Sequence, residues 1–145
     1  MIQTKTNKTT LMIIMTVTSF FNTFMGASIN IALPQISSEF SISASGLGWL
    51  AMSFLLASAM FMVPTGKIAD MVGRKKVFLW GNVVFGITSL CCALSPNVEA
   101  LVAMRFIQGI GSALIFRTGM AIIVSVFEPK DRGKMLGINV SAVFL

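Results

Sequence analysis

Gly66-Lys67-Ile68-Ala69-Asp70-Met71-Val72-Gly73-Arg74-Lys75-Lys76 is a charged, glycine-punctuated stretch between two long apolar runs. A basic connection this short reads as a tight loop between two membrane spans, and it fixes which way they face. On one side the apolar run reaches back to about Gly46. On the other the next run extends from about Val77 to Leu94. Each is near or above the ~20 residues that cross ~30 Å of hydrocarbon at ~1.5 Å per residue.

Two more runs share this character, one from about Leu11 to Ile36, ending near Pro34, and one from about Glu99 to Val126. Backbone polar groups in lipid must be satisfied within the segment, so the four spans (about 11–36, 46–67, 77–94 and 99–126) are expected to be helices. The first follows Lys5 and Lys8 as a secretory signal would, but it outlasts the ~7–15 residues of a cleavable core and reads as a retained span. From about Met135 to Leu145 a fifth apolar segment begins. As a helix its roughly eleven residues cover ~16 Å, about half a bilayer. The chain is therefore expected to be a fragment, or a truncated frame, of a larger membrane protein.

Composition agrees. The chain is 55% hydrophobic and 11% charged, with a mean hydropathy of +0.86, whereas soluble domains carry about 25% charged residues. The net charge of +6 sits in short connections where topology explains it, so no nucleic-acid partner is implied. The absence of histidine excludes a histidine triad or histidine metal site. Cys91 and Cys92 are adjacent on an apolar run and read as packing residues.

The connections set the orientation. Ser37–Ser45 is polar, Ser95-Pro96-Asn97 is a turn before a helix start, and Glu128-Pro129-Lys130-Asp131-Arg132 is a charged break. Nine of the eleven basic residues (Lys5, Lys8, Lys67, Arg74, Lys75, Lys76, Lys130, Arg132 and Lys134) fall on one side, and none falls in the two opposite connections, which hold Glu39 and Glu99. The positive-inside rule makes the N-terminus cytoplasmic in a multi-pass protein of the cell membrane. Trp49 and Trp80 fall near span ends, as interface anchors do.

Several polar residues lie inside the spans. Ser19, Thr23, Gly26 and Asn30, with Asn22 beside them, form a stripe on one face of span one, which suits close helix packing or a solute path. Span four holds Arg105, with Gln108, Gly109 and Ser112 on the same face. A cation inside a membrane needs a protein-lined cavity or a route to the surface. Arg117 lies twelve residues further on, ~18 Å deeper and ~120° around the helix, with no evident partner in the sequence. Asp70, between Gly66 and Gly73, has two possible partners: a cation such as Arg132 or a helix N-terminus. A solvated turn is the plainer reading. No acid lies in the middle of any span. No metal-ligand spacing, nucleophile with a base, or cofactor-binding loop appears. Gly109-Ile110-Gly111 lies within a span, so a dinucleotide reading fails on context. An enzyme is not expected, nor a cofactor or metal.

The stretch from Gly66 to Lys76 closely resembles the signature of the major facilitator superfamily: a glycine, an aspartate four on, a glycine three later, then basic residues. Met71 stands where arginine is common. Arg105-Phe106-Ile107-Gln108-Gly109-Ile110-Gly111-Ser112-Ala113 is similar to the family's fourth-span motif. Asn30-Ile31-Ala32-Leu33-Pro34 is similar to the first-span motif of its fourteen-span drug–proton antiporter branch. Met25 occupies a position where that branch usually has aspartate, and Arg117 one where proline is common.

The resemblance implies an all-α membrane protein, the N-terminal helices of a major-facilitator bundle with four full spans and a truncated fifth. It implies a secondary active, proton-coupled, multidrug-type exporter of small molecules working by alternating access. Its partners would be the solute, protons, the bilayer and a missing C-terminal half. Gly66, Asp70, Gly73, Arg74, Lys75 and Arg132 would form a cytoplasmic conformational latch. Arg105, Gln108 and Gly109 would belong to a proton-linked or cavity network, and Asn30, Gly26 and Thr23 would line the cavity. Two alternatives stand beside this reading. One is a small four-helix exporter acting as an oligomer, which would need a glutamate in its first span. The other is a non-transport membrane interaction module.

Overall fold

The computed structural model describes residues 7–144, so Lys5 lies outside the described residues. The chain is a bundle of helices: α1 (Lys8–Phe40), α2 (Ala44–Val72), α3 (Arg74–Ala93), α4 (Val98–Val126) and α5 (Pro129–Phe144). The first four are each long and apolar enough to cross a bilayer. Large apolar side chains point outward, and Trp49 and Trp80 are 61% and 66% exposed. That arrangement suits lipid, because the aqueous cost of exposed apolar surface does not arise there.

The helices run further than the apolar runs do, which corrects the reading of 66–76 as a loop. Residues 66–72 are the last two turns of α2, and Gly73 alone separates α2 from α3. Ala69 is buried, so tertiary packing continues the helix past Gly66. Gly73 then turns the chain with φ +109°, a conformation that strains any residue with a Cβ. Its N–H donates to Ala69 O at 3.0 Å and its carbonyl accepts from Val77 N at 3.2 Å. The 29 residues of α2 rise ~43 Å at ~1.5 Å each, so its charged end projects beyond ~30 Å of hydrocarbon.

Other boundaries shift for similar reasons. Helix α1 passes through Pro34 and ends at Phe40, with Ser41 in the left-handed region as its cap. The Ser43 hydroxyl accepts from Gly46 N at 3.3 Å to start α2. Asn97 Oδ1 accepts from Ala100 N at 2.9 Å to start α4, with Glu99 in the first turn where the helix dipole favours an acid. Helix α5 begins at Pro129, not near Met135. Proline suits the first helical position, and Asp131 lies in the first turn.

Helix α4 is the centre of the bundle. A Cβ added at Gly109 would strike Phe54 O and stand 2.9 Å from Ala57 Cβ, so α2 and α4 touch backbone to backbone. A Cβ at Gly111 would stand 3.0 Å from Phe85 N, and one at Gly81 3.1 Å from Ile115 N. Small residues therefore set the separation of α4 from both α2 and α3, as they do between helices in lipid. An apolar cluster including Met12, Met15, Phe78, Ile122, Ile123 and Phe127 joins α1, α3 and α4.

Candidate functional site

Helices α1, α2, α4 and α5 wall a cavity of about 500 Å³. Its polar lining includes Asn22, Thr23, Asn30, Ser58, Arg105 and Ser112, and its apolar lining includes Phe54, Leu55, Met62 and Phe116. Asn30, Gly26 and Thr23 of α1 are among the residues around it. Pro34 has no N–H to offer the Asn30 carbonyl one turn earlier, so that backbone acceptor is freed within the cavity-lining stretch.

Arg105 is only 2% exposed and Gln108 only 3%. The guanidinium donates to Gln108 Oε1 at 2.7 Å and to Gly26 O at 3.5 Å. Its carbon stands 4.6 Å from the centre of the Phe54 ring, within cation–π range. Gln108 Nε2 in turn donates to Ser89 Oγ at 2.7 Å. One cation is thus held by groups from α1, α2 and α4, with α3 behind. Snorkelling does not describe it, because the side chain points into protein. Gly109 stands apart from this network and serves the α2–α4 contact.

A second polar line ties α1 to its neighbours. Ser112 Oγ donates to Asn22 Oδ1 at 2.9 Å, and Ser19 Oγ donates to Asn139 Oδ1 at 3.3 Å. Four buried polar atoms here have no partner among the described residues: Asn22 Nδ2, Thr23 Oγ1, Arg105 Nε and Asn139 Nδ2. Sequence reasoning missed Phe54, Ser89 and Asn139. Asn139 carried a signal, an amide inside an apolar run. Ser89 and Phe54 carried none, because only helix packing brings them to Gln108 and Arg105.

At the other end of the bundle, Arg74 is the hinge of the charged cluster. Its guanidinium pairs with Asp70 Oδ1 at 3.4 Å and donates to Ala121 O at 3.2 Å. It thereby joins α2, α3 and α4 across the Gly73 turn. The structure does not bring Asp70 to Arg132. Arg132 Nε instead donates to Phe127 O at 3.1 Å, capping the end of α4. Lys75 is exposed beside the turn. Arg117 lies against Gly66, whose added Cβ would stand 3.1 Å from the Arg117 Nε.

Lipid-length helices thus surround a cavity whose wall holds a buried cation, the architecture of a multi-pass membrane protein. A sequence model of the Major Facilitator Superfamily matches residues 14–145, and the chain belongs to that family, as a multi-pass membrane protein. It is 31% identical over 132 residues to the riboflavin transporter RibZ of Clostridioides difficile, a match covering 91% of this chain and 29% of that protein. It is 34% identical over 135 residues to the multidrug resistance protein Stp of Mycobacterium tuberculosis, covering 91% and 25%. It is 35% identical over 111 residues to the methylenomycin A resistance protein of Streptomyces coelicolor, covering 76% and 23%. The chain spans about a quarter of the length of these curated relatives.

Proposed function

We propose that the chain forms the N-terminal helices of a secondary active exporter of small molecules, proton-coupled and of multidrug type, in the cell membrane with its N-terminus cytoplasmic. The observation that carries this is the buried Arg105 on the wall of the cavity, bonded to Gln108 and to the Gly26 carbonyl. A charge in the membrane interior costs at least ~2.5–3.5 kcal/mol on insertion scales. Such a cost suits a group that meets solute or couples to a moving ion. The names of the relatives, which include a multidrug resistance protein and an antibiotic resistance protein, support export. The basic, glycine-hinged end of α2 supports the cytoplasmic assignment.

In this reading solute binds between Asn30, Gly26 and Thr23 of α1 and the α4 face of Arg105, and an opposing half closes the cavity. Alternating access rocks the two halves about the midplane. Asp70 and Arg74, joined across Gly73, form the cytoplasmic latch with Gly66 and Lys75, and Arg132 holds the neighbouring end of α4. Arg105 and Gln108 belong to the proton-linked network.

The test is transport by the complete native gene product in proteoliposomes under an imposed pH gradient. Solute movement above empty liposomes, abolished by a protonophore, is the expected result. Flux that ignores collapse of the gradient would remove proton coupling. No flux of any solute in a panel of dyes and antibiotics would remove the exporter reading.

A further inference from the structure

We infer that the solute taken by this cavity is an organic anion, an amphiphile bearing a carboxylate or similar acidic group, held at the donor-rich junction of α1 and α4. The inference rests on the transport reading above and specifies its substrate class.

Charge is the first ground. Arg105 is the single ionised residue among the described residues that line the cavity. All five acids, Glu39, Asp70, Glu99, Glu128 and Asp131, lie within three residues of a helix end or in a connection. The wall therefore carries a net positive charge that this chain does not neutralise. Inside a bundle surrounded by lipid, Coulomb interactions are stronger than in water. A second cation brought beside Arg105 is repelled, and an anion is drawn in.

Hydrogen bonding is the second ground, and it is independent of the first. Three acceptors beside Arg105 are already engaged: Asn22 Oδ1 accepts from Ser112, Gln108 Oε1 from Arg105, and Gly26 O from Arg105, while the Asn30 carbonyl freed by Pro34 lies one turn further along α1. Among the described residues, the buried side-chain atoms left unpaired beside the cavity are two donors, Asn22 Nδ2 and Arg105 Nε, and the Thr23 hydroxyl. Asn22 is 1% exposed, so water does not satisfy its amide from bulk. Arginine is a donor only, so no amide-style reversal of the side chain changes that count at Arg105. These groups lie close together. Asn22, Thr23 and Gly26 share one turn of α1, and Arg105 reaches that turn at Gly26 O. Buried donors without acceptors are unfavourable until an acceptor arrives, and a carboxylate supplies several lone pairs at one point.

Shape completes the description. A cavity of about 500 Å³ falls within the ~300–1,000 Å³ range of small-molecule pockets. Phe54, Leu55, Met62 and Phe116 line its apolar side. An acidic group at the α1–α4 junction would leave an apolar body against those side chains.

The competing source of the same chemistry is an acidic side chain elsewhere in the native protein that neutralises Arg105. Two dyes on one ring framework separate the cases, the anionic carboxyfluorescein and the cationic rhodamine 123. Both are offered to the complete native gene product in proteoliposomes. The expected result is a KM for carboxyfluorescein at least about tenfold below that for rhodamine 123. Asn22→Leu, which removes this donor together with the acceptor of the Ser112 hydroxyl and leaves the charge, should raise the carboxyfluorescein KM several-fold more than it raises the KM of rhodamine 123; an equal rise for both dyes would overturn the role of the Asn22 amide. Saturable rhodamine 123 transport with carboxyfluorescein inert overturns the inference and leaves the exporter reading standing, since an internal acid then occupies the site. If neither dye nor any antibiotic moves, the exporter reading fails and the inference falls with it.

Discussion

The guanidinium of Arg117 lies across Gly66. A methyl group built on that glycine would stand 3.1 Å from Nε and 3.4 Å from the terminal nitrogen. Gly66 thus provides the floor on which a charged α4 side chain rests against α2, which gives Arg117 a place that its sequence neighbours do not suggest. The contact is with the far end of a flexible chain. Gly66→Ala therefore needs a shift of only a few tenths of an ångström and gains up to ~1 kcal/mol of helix propensity. Its thermal unfolding midpoint in detergent, followed by Trp49 and Trp80 fluorescence, should match or exceed that of the parent. A drop of several degrees would show that Arg117 is fixed in place.

Gly109→Ala should behave oppositely. The new methyl meets the Phe54 carbonyl and stands 2.9 Å from Ala57 Cβ, and neither can move without separating α2 from α4. Overpacking of this kind costs about 1–3 kcal/mol. The same unfolding measurement should show a clear fall. A midpoint equal to that of Gly66→Ala would contradict the close approach of the two helices.

Arg105→Lys keeps the charge and loses the fork that meets Gln108 and Gly26 together. Breaking a buried bond to a charged group costs about 1.5–3 kcal/mol. Gradient-driven flux by the complete protein should fall at least about tenfold, the factor that ~1.4 kcal/mol represents, and the unfolding midpoint should drop modestly. Flux at the parent level would show that a point charge suffices.

Asp70→Asn removes an ion pair whose partners are 42% and 67% exposed. Exposed pairs contribute only about 0–1 kcal/mol, so stability and membrane insertion should hardly change. If the pair belongs to a latch, flux falls and cysteine accessibility along the cavity shifts. Unchanged flux together with unchanged labelling would refute the latch.

Orientation is open to direct labelling. With Cys91 and Cys92 replaced by alanine, single cysteines at Lys75 and Lys134 should react only after the cytoplasmic face is opened. Cysteines at Glu39 and Asn97 should react from outside intact cells. Labelling of positions 75 and 134 from opposite faces would break the four-span topology.

Much of the candidate site was legible because the membrane makes polar residues conspicuous. Arg105, Gln108 and the α1 stripe stood out against apolar surroundings, and their spacing placed them on helix faces. The pairing of Asp70 was legible only in part. Asp70 and Arg74 are four residues apart and pair across one turn, but the choice between Arg74 and Arg132 depends on where α4 ends. The 66–76 segment misled for a related reason. Charges and two glycines look like a loop, yet burial of Ala69 and Gly66's contact with Arg117 keep α2 helical to Val72.

By itself the sequence determined that this is a lipid-embedded, all-helical chain with a basic face. Hydrocarbon forbids unsatisfied backbone, and the lysines and arginines sort by loop. The tertiary structure alone decided which side chains meet. Ser89, Phe54 and Gly26 reach the Arg105–Gln108 pair from three different helices. That meeting is set by how closely glycine-lined helices approach one another, a distance no local pattern encodes.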